Sequence, residues 1–310
     1  MTGDVGLVLA RFSHYAATTM LAGLSFFPLY AYVGAEPKAL CAWRRWLLLL
    51  AAVMAFLSGL LWFVLSVANM SGNLADLVDP EVLLSVVRDT GFGVVWTARL
   101  VLAGIIVGVT AMRFSSAATG RDLTTSSLAA LLLISLAGTG HSQIESGWAS
   151  VVHVTSDAAH LLAAGAWLGG LVPLAFILVC HTTPEWKIEP LGVNEILLRF
   201  SGMGYVAVAT LIGSGLVNSW FLVGSLSNLL KTSYGQVLLM KLVLFAAMIA
   251  FAAANRLWLV PAMSAIRTDA SAVSSLFGRL RNHVIGEQLL GLTVLFGVSL
   301  LGIMRPAIGQ

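Results

Sequence analysis

Three polar residues, His153, Asp157 and His160, stand at i, i+4 and i+7 just where a segment turns wholly apolar (LLAAGAWLGGLVPLAFILVC). On a helix this spacing puts all three side chains on one face. Imidazoles and a carboxylate are metal-ligating groups, and imidazole suits copper, zinc, iron and nickel. One helix cannot complete such a site. Residues seven apart are separated by about 10 Å along the axis, so His153 and His160 cannot share one ion on an unbroken helix. Asp157 can reach either, and a carboxylate commonly orients a ligating imidazole. Further ligands must come from other segments, with His14 and His141 the natural candidates. The candidate metal set is therefore His14, His141, His153, Asp157 and His160. Met70 could add a soft thioether for Cu(I).

The elements that must position these residues are membrane helices. The chain is 58% hydrophobic and 10% charged, whereas soluble domains carry about 25% charge. The expected fold is all-α, a polytopic bundle of eight transmembrane helices forming a single domain over 1–310. The apolar runs place the spans at about 6–33, 43–68, 94–113, 124–140, 151–180, 200–223, 235–260 and 283–304. No basic segment precedes the first span, so a cleaved signal peptide is not expected. The loops on one side carry Lys38, Arg44, Arg45, Arg113, Arg121, Lys187, Arg199, Arg256, Arg267, Arg279 and Arg281. The other side carries only Arg88, Lys231 and Arg305. Basic residues gather on the cytoplasmic side, so both termini and the His153 end of the fifth span are expected outside. The net charge of +3 comes mostly from these loops and does not point to nucleic acid.

Smaller signals refine the picture. Asp79-Pro80-Glu81 has the form of a helix start, predicting a short helix on the outer face. The segment 264–282 predicts a basic stretch lying at the inner interface. Gly165 and Gly169 form a small-xxx-small pair that permits close helix packing. Cys41 and Cys180 fall near cytoplasmic ends, where a disulfide is disfavoured, and read as small buried residues. His283 opens the last span on the opposite side from the other histidines, with Glu287 one turn on.

Charged groups also recur about two turns in from the outer surface: Arg11 beside His14, Arg99, Asp157 beside His160, and Lys241. Ionisable groups in spans usually face a protein interior or a water-filled cavity. An outward-opening polar chamber would account for the layer. The three cations could instead snorkel to the interface. There is no G-x-x-x-x-G-K-[ST] loop and no C-x-x-C pair. No catalytic constellation is expected, so the chain reads as a non-enzyme. Any transport would be passive or gradient-coupled. A negative interior favours cation entry by about 2.3 kcal/mol per charge per 100 mV.

Several segments resemble the copper resistance protein D (CopD) family of bacterial inner-membrane proteins. They are GFGVVWTARL (91–100), GHS (140–142), SDAAHLLAAGAWLGGLVPLA (156–175), LLRFSGMGYVAV (197–208) and YGQVLLMKLVLFAAMIAFAAANRLWLVP (234–261). The resemblance implies eight helices that move copper, as Cu(I) or Cu(II), usually inward from the periplasm. It also implies a separate periplasmic copper-binding partner of the CopC type. The matched positions that could carry copper are His141, Asp157 and His160, while His14 and His153 come from their chemistry alone. Arg11, Arg99 and Lys241 would repel copper if they lined the chamber, so two further readings stay open. One is a b-type cytochrome, with two imidazoles on haem iron and basic groups on the propionates. The other is a structural membrane subunit whose polar layer only locks helix packing.

Overall fold

The computed structural model describes residues 2–114, 122–139, 147–180, 190–265 and 270–309. Among these there are helices and no strand. In chain order they are α1 (Thr2–Ala31), α2 (Lys38–Ser71), α3 (Pro80–Asp89), α4 (Gly91–Phe114), α5 (Leu123–Ile134), α6 (Trp148–Ala164), α7 (Leu171–Cys180), α8 (Pro190–Leu222), α9 (Leu226–Lys231), α10 (Ser233–Ala254), α11 (Val260–Ala265) and α12 (Ala270–Leu301). Each expected span contains a helix, though the fourth runs past the end of α5 at Ile134. Six helical stretches are long and apolar enough to cross a membrane: Leu40–Ser71, Gly91–Arg113, Trp148–Val179, Gly192–Leu222, Ser233–Ala262 and Ser275–Leu301. Length and apolarity alone thus give six spans among the described residues, not eight. α5 is only 12 residues long, and α1 is diluted by Arg11, His14, Thr18 and Thr19.

The composition of α1 follows from its place. It packs against α2, α5, α7, α8 and α12, and its Leu21, Ala22, Leu24 and Phe27 are fully buried. A helix enclosed by others need not offer lipid an apolar surface all round. The fifth expected span is not one α-helix: a π-turn at Gly165–Gly169 divides α6 from α7. The small-residue pair lies in that turn. A Cβ on Gly169 would strike the Thr19 carbonyl, and one on Gly23 would strike the Gly169 backbone. The close crossing that Gly165 and Gly169 promised is therefore made with α1.

The two ends of the bundle are held differently. Arg11 Nη1 donates to the Gly302 carbonyl at 2.7 Å, which brings the start of α1 to the end of α12. At the opposite end Glu36 and Arg44 form a buried two-pronged ion pair, with Arg44 Nε at 2.9 Å from Oε1 and Nη2 at 2.7 Å from Oε2. Arg44 is therefore a buried tie between the α1 and α2 ends, not a solvated loop charge. Near the termini α3 starts as its sequence suggests. Asp79 caps it by accepting from the Glu81 amide at 2.9 Å, and none of its residues is buried. The expected interfacial stretch at 264–282 lies partly outside the described residues; from residue 270 it is helical, the first turns of α12, with Arg279 and Arg281 exposed. The apolar side chains Leu276, Phe277 and Leu280, on either side of Arg279, pack into the largest core cluster, which holds the segment as a helix.

Candidate metal centre

α6 is unbroken from Trp148 to Ala164, so His153, Asp157 and His160 do share a face. That face meets α8. His160 Nδ1 lies 2.9 Å from Ser214 Oγ. The Ser214 hydroxyl already donates to the Thr210 carbonyl at 2.5 Å. A hydroxyl has one proton to give, so Ser214 must accept from His160. This fixes the Nδ1–H tautomer and leaves the Nε2 lone pair as the one that could ligate a metal. One turn before His160, Asp157 Oδ1 accepts from Asn218 Nδ2 at 3.2 Å. The buried Oδ1 of Asn218 has no partner. A turn before Asp157, His153 is 2% exposed and stacks on Phe221, with centroids 4.7 Å apart and planes at 10°.

α10 closes the third side. The charge of Lys241 acts on both Asp157 and His160, and Tyr234 also faces Asp157. A groove of ≈ 490 Å³ runs between α6 and α8, lined by Ser156, Ala159, Thr210 and Ser214 among others. Neither His153, Asp157 nor His160 lines it. The polar cluster therefore turns away from this groove, toward α10. It holds one carboxylate, one ammonium and two imidazoles, which is close to charge balance without a bound ion.

His14 is in different company. Its Nδ1 sits 3.0 Å from the Ala55 carbonyl, and its Nε2 sits 2.7 Å from Arg99 Nη2. Guanidinium only donates, so Nε2 accepts and Nδ1 carries the proton. The lone pair that would ligate a metal is thus engaged by Arg99. Ligation by His14 requires Arg99 to turn away first. Arg99 is 3% exposed, donates also to Ser135 and to the Leu132 carbonyl, and lies over Trp96. Arg11 lies over Trp62 and donates to Gly302 and Tyr15. Neither arginine snorkels; both tie helices together inside the bundle. Of the three cations only Lys241 stands beside Asp157.

The candidate set thus separates into His153, Asp157 and His160 on α6, and His14 between α1, α2 and α4. His141 lies outside the described residues. Among the described residues no three His, Cys, Asp or Glu side chains are placed to hold one ion. Met70 is 61% exposed near the end of α2. Cys41 is buried with a free thiol, and nothing is described of the Cys180 side chain. Sequence reasoning missed Ser214, Asn218 and Tyr234. The first two had a signal: Ser and Asn at i and i+4 on a long apolar helix, the spacing that matches a facing polar stripe.

The N-terminal domain model of copper resistance protein D-like proteins matches residues 1–151, and the copper resistance protein D model matches residues 194–301. The chain is 34% identical over 263 residues to copper resistance protein D of Pseudomonas syringae pv. tomato, covering 82% of each. It is 29% identical to inner membrane protein YebZ of Escherichia coli K12, over 96% of this chain and 98% of that one. To copper transport protein CutJ of Bacillus subtilis 168 it is 28% identical, over 77% of this chain and 44% of that one. No solved structure matches. Two family models over both halves and a relative matched along most of its length establish that the chain belongs to the copper resistance protein D family.

Proposed function

We propose that this protein imports copper across the bacterial inner membrane, taking the ion from the periplasm at a site built on α6. His160 Nε2 is its principal ligand, with Asp157 beside it and His153 one step nearer the surface. His141 supplies a ligand from the connection before α6, and His14 joins only if Arg99 releases it. The observation that carries this reading is the Thr210–Ser214–His160 chain, which presents an imidazole lone pair beside a carboxylate in a chain of this family. Copper is cargo here, and the site binds and passes it without chemistry on a substrate, so no enzyme activity is assigned. The direct test is copper uptake into proteoliposomes. Wild-type protein is expected to carry copper inward above the rate of empty vesicles, and His160→Ala to reduce uptake to that background. Equal uptake by both would remove the α6 site from the route. A haem band in the reduced-minus-oxidised spectrum of purified protein would support the cytochrome reading instead.

The proposed topology has eight spans, with α1 and α5 crossing inside a shell of more apolar helices, and both termini in the periplasm. A separate CopC-like donor would meet the site from that side. The lysine and arginine asymmetry supports this orientation. The contact of Arg11 with Gly302 supports termini at one end. The Ile308 side chain lies where a Cβ on Gly224 would meet it, which brings the end of α8, and with it Phe221 and His153, toward the same end. A reporter active only in the cytoplasm, fused at Gln310, is expected to be silent. A strong signal would invert the orientation and put the α6 histidines on the cytoplasmic side.

A further inference from the structure

Glu36 and Glu287 are the buried glutamates among the described residues, at 3% and 2% exposure. Glu36 is balanced by Arg44. Glu287, on α12, has only neutral partners: Asn255 Nδ2 donates to its Oε1 at 2.8 Å, and the Trp167 indole N–H lies against it. Both partners stand in π-turns, Asn255 opening Asn255–Leu259 and Trp167 lying inside Gly165–Gly169. Single π-turns inside helices often mark functional sites. The Oδ1 of the same Asn255 amide is 2.8 Å from His283 Nδ1. An amide oxygen only accepts, so the imidazole donates to it. One side chain thus holds a carboxyl and an imidazole that are themselves one helical turn apart on α12. Exposure falls inward along this line: Arg281 and Asn282 are exposed, His283 is half-buried, and Glu287 is enclosed.

We propose that Glu287 is a proton-binding site in the inner half of the bundle, loaded from solvent through His283. A carboxylate enclosed among apolar side chains needs a counter-charge, and among the described residues no cation is paired with Glu287. The charged group acting on His283 is Arg279, one turn nearer the surface on the same helix. On α1, the Tyr30 hydroxyl is engaged by the Ala166 carbonyl, to which it donates. The described residues of α7 and α11 bring no acid, base or imidazole to the site, and Arg256 follows Asn255 on the π-turn. Asn255 cannot itself pass a proton. Loading therefore has His283, protonated from the inner solution, turn from Asn255 onto Glu287. One N–H bond breaks and one O–H bond forms, leaving neutral imidazole and carboxylic acid. If the protein imports copper as proposed above, release of this proton inward as the cation crosses would couple the two flows. That coupling rests on the copper reading; the proton site does not.

The site is read by infrared difference spectroscopy of the purified full-length protein between alkaline and acidic buffer. A carboxylic acid C=O band is expected to appear on acidification and to be missing in Glu287→Gln, which is isosteric. In His283→Gln the band is expected to persist but to form more slowly after a pH jump, on the order of 100-fold. An unchanged band in Glu287→Gln overturns the assignment, as does wild-type kinetics in His283→Gln. A band that responds to sodium rather than to acid also overturns it. Should Glu287→Gln not fold, Glu287→Asp is expected to shift the band, and an unshifted band is then the refuting result. In proteoliposomes an imposed pH gradient is expected to alter copper flux in wild type but not in Glu287→Gln, with copper binding in detergent unchanged. Absent flux in wild type with a normal band refutes the copper reading while leaving the proton site standing. A gradient response retained in Glu287→Gln refutes the coupling.

Discussion

His160→Ala is expected to abolish copper binding by the purified protein, measured by metal analysis and by titration in detergent. The change removes the imidazole whose Nε2 lone pair is exposed by the tautomer that Ser214 enforces. Asp157→Asn keeps the shape of the side chain but loses its charge, and is expected to weaken binding by about 10–100-fold, the usual effect of a group that supports a metal ligand. Ser214→Ala leaves Nδ1–H without its acceptor and releases the ring, so it should fall in the same range. His283→Ala lies in the other half of α12's path and should leave copper affinity intact. The pattern matters more than any one value. Equal loss in all four variants would indicate misfolding. Undiminished binding in His160→Ala would remove the α6 site.

The shared face of His153, Asp157 and His160 was legible because they lie on one helix, where the period alone decides which side chains share a face. Equally local signals, a capping Asp followed by Pro and a pair of small residues, placed the start of α3 at Asp79 and the close crossing at Gly165 and Gly169. The partners on α8 and α10 were harder to see. Nothing local in the sequence says that Ser214 and Asn218 face α6 rather than lipid, since that depends on how two helices are rotated against each other. His14 shows the limit most plainly. Depth along the membrane put it level with His160, but depth is not position around the bundle, and Arg99 holds it between α1, α2 and α4. Arg11 and Arg99 were ambiguous for the same reason. Their carbonyl, hydroxyl and indole partners lie up to 291 residues away in the chain. The Glu287–Asn255–His283 group was half legible. The i, i+4 pair on α12 was visible, but the amide that joins it belongs to a π-turn that no periodicity announces.

With Arg11 and Arg99 committed to other helices, Lys241 becomes the one cation of the outer layer whose removal should change what the α6 site binds. It acts on Asp157 and His160 together. At an effective dielectric near 20, a unit charge about 8 Å from an ion is worth roughly 2 kcal/mol before salt screening. For copper that term is repulsive. Lys241→Met keeps the apolar stem and removes the charge, so it should tighten copper binding by about 30-fold at low salt, and by less as ionic strength rises. The repulsion acts on the ion directly, so the gain should persist in the Asp157→Asn background. If the site instead holds haem, the same lysine attracts a propionate. Lys241→Met should then weaken cofactor retention and leave copper affinity unmoved. Opposite signs for one substitution make this the sharpest separation of the two chemistries. A Soret band that diminishes in Lys241→Met would decide for haem, and a tightened copper isotherm without such a band would decide for copper.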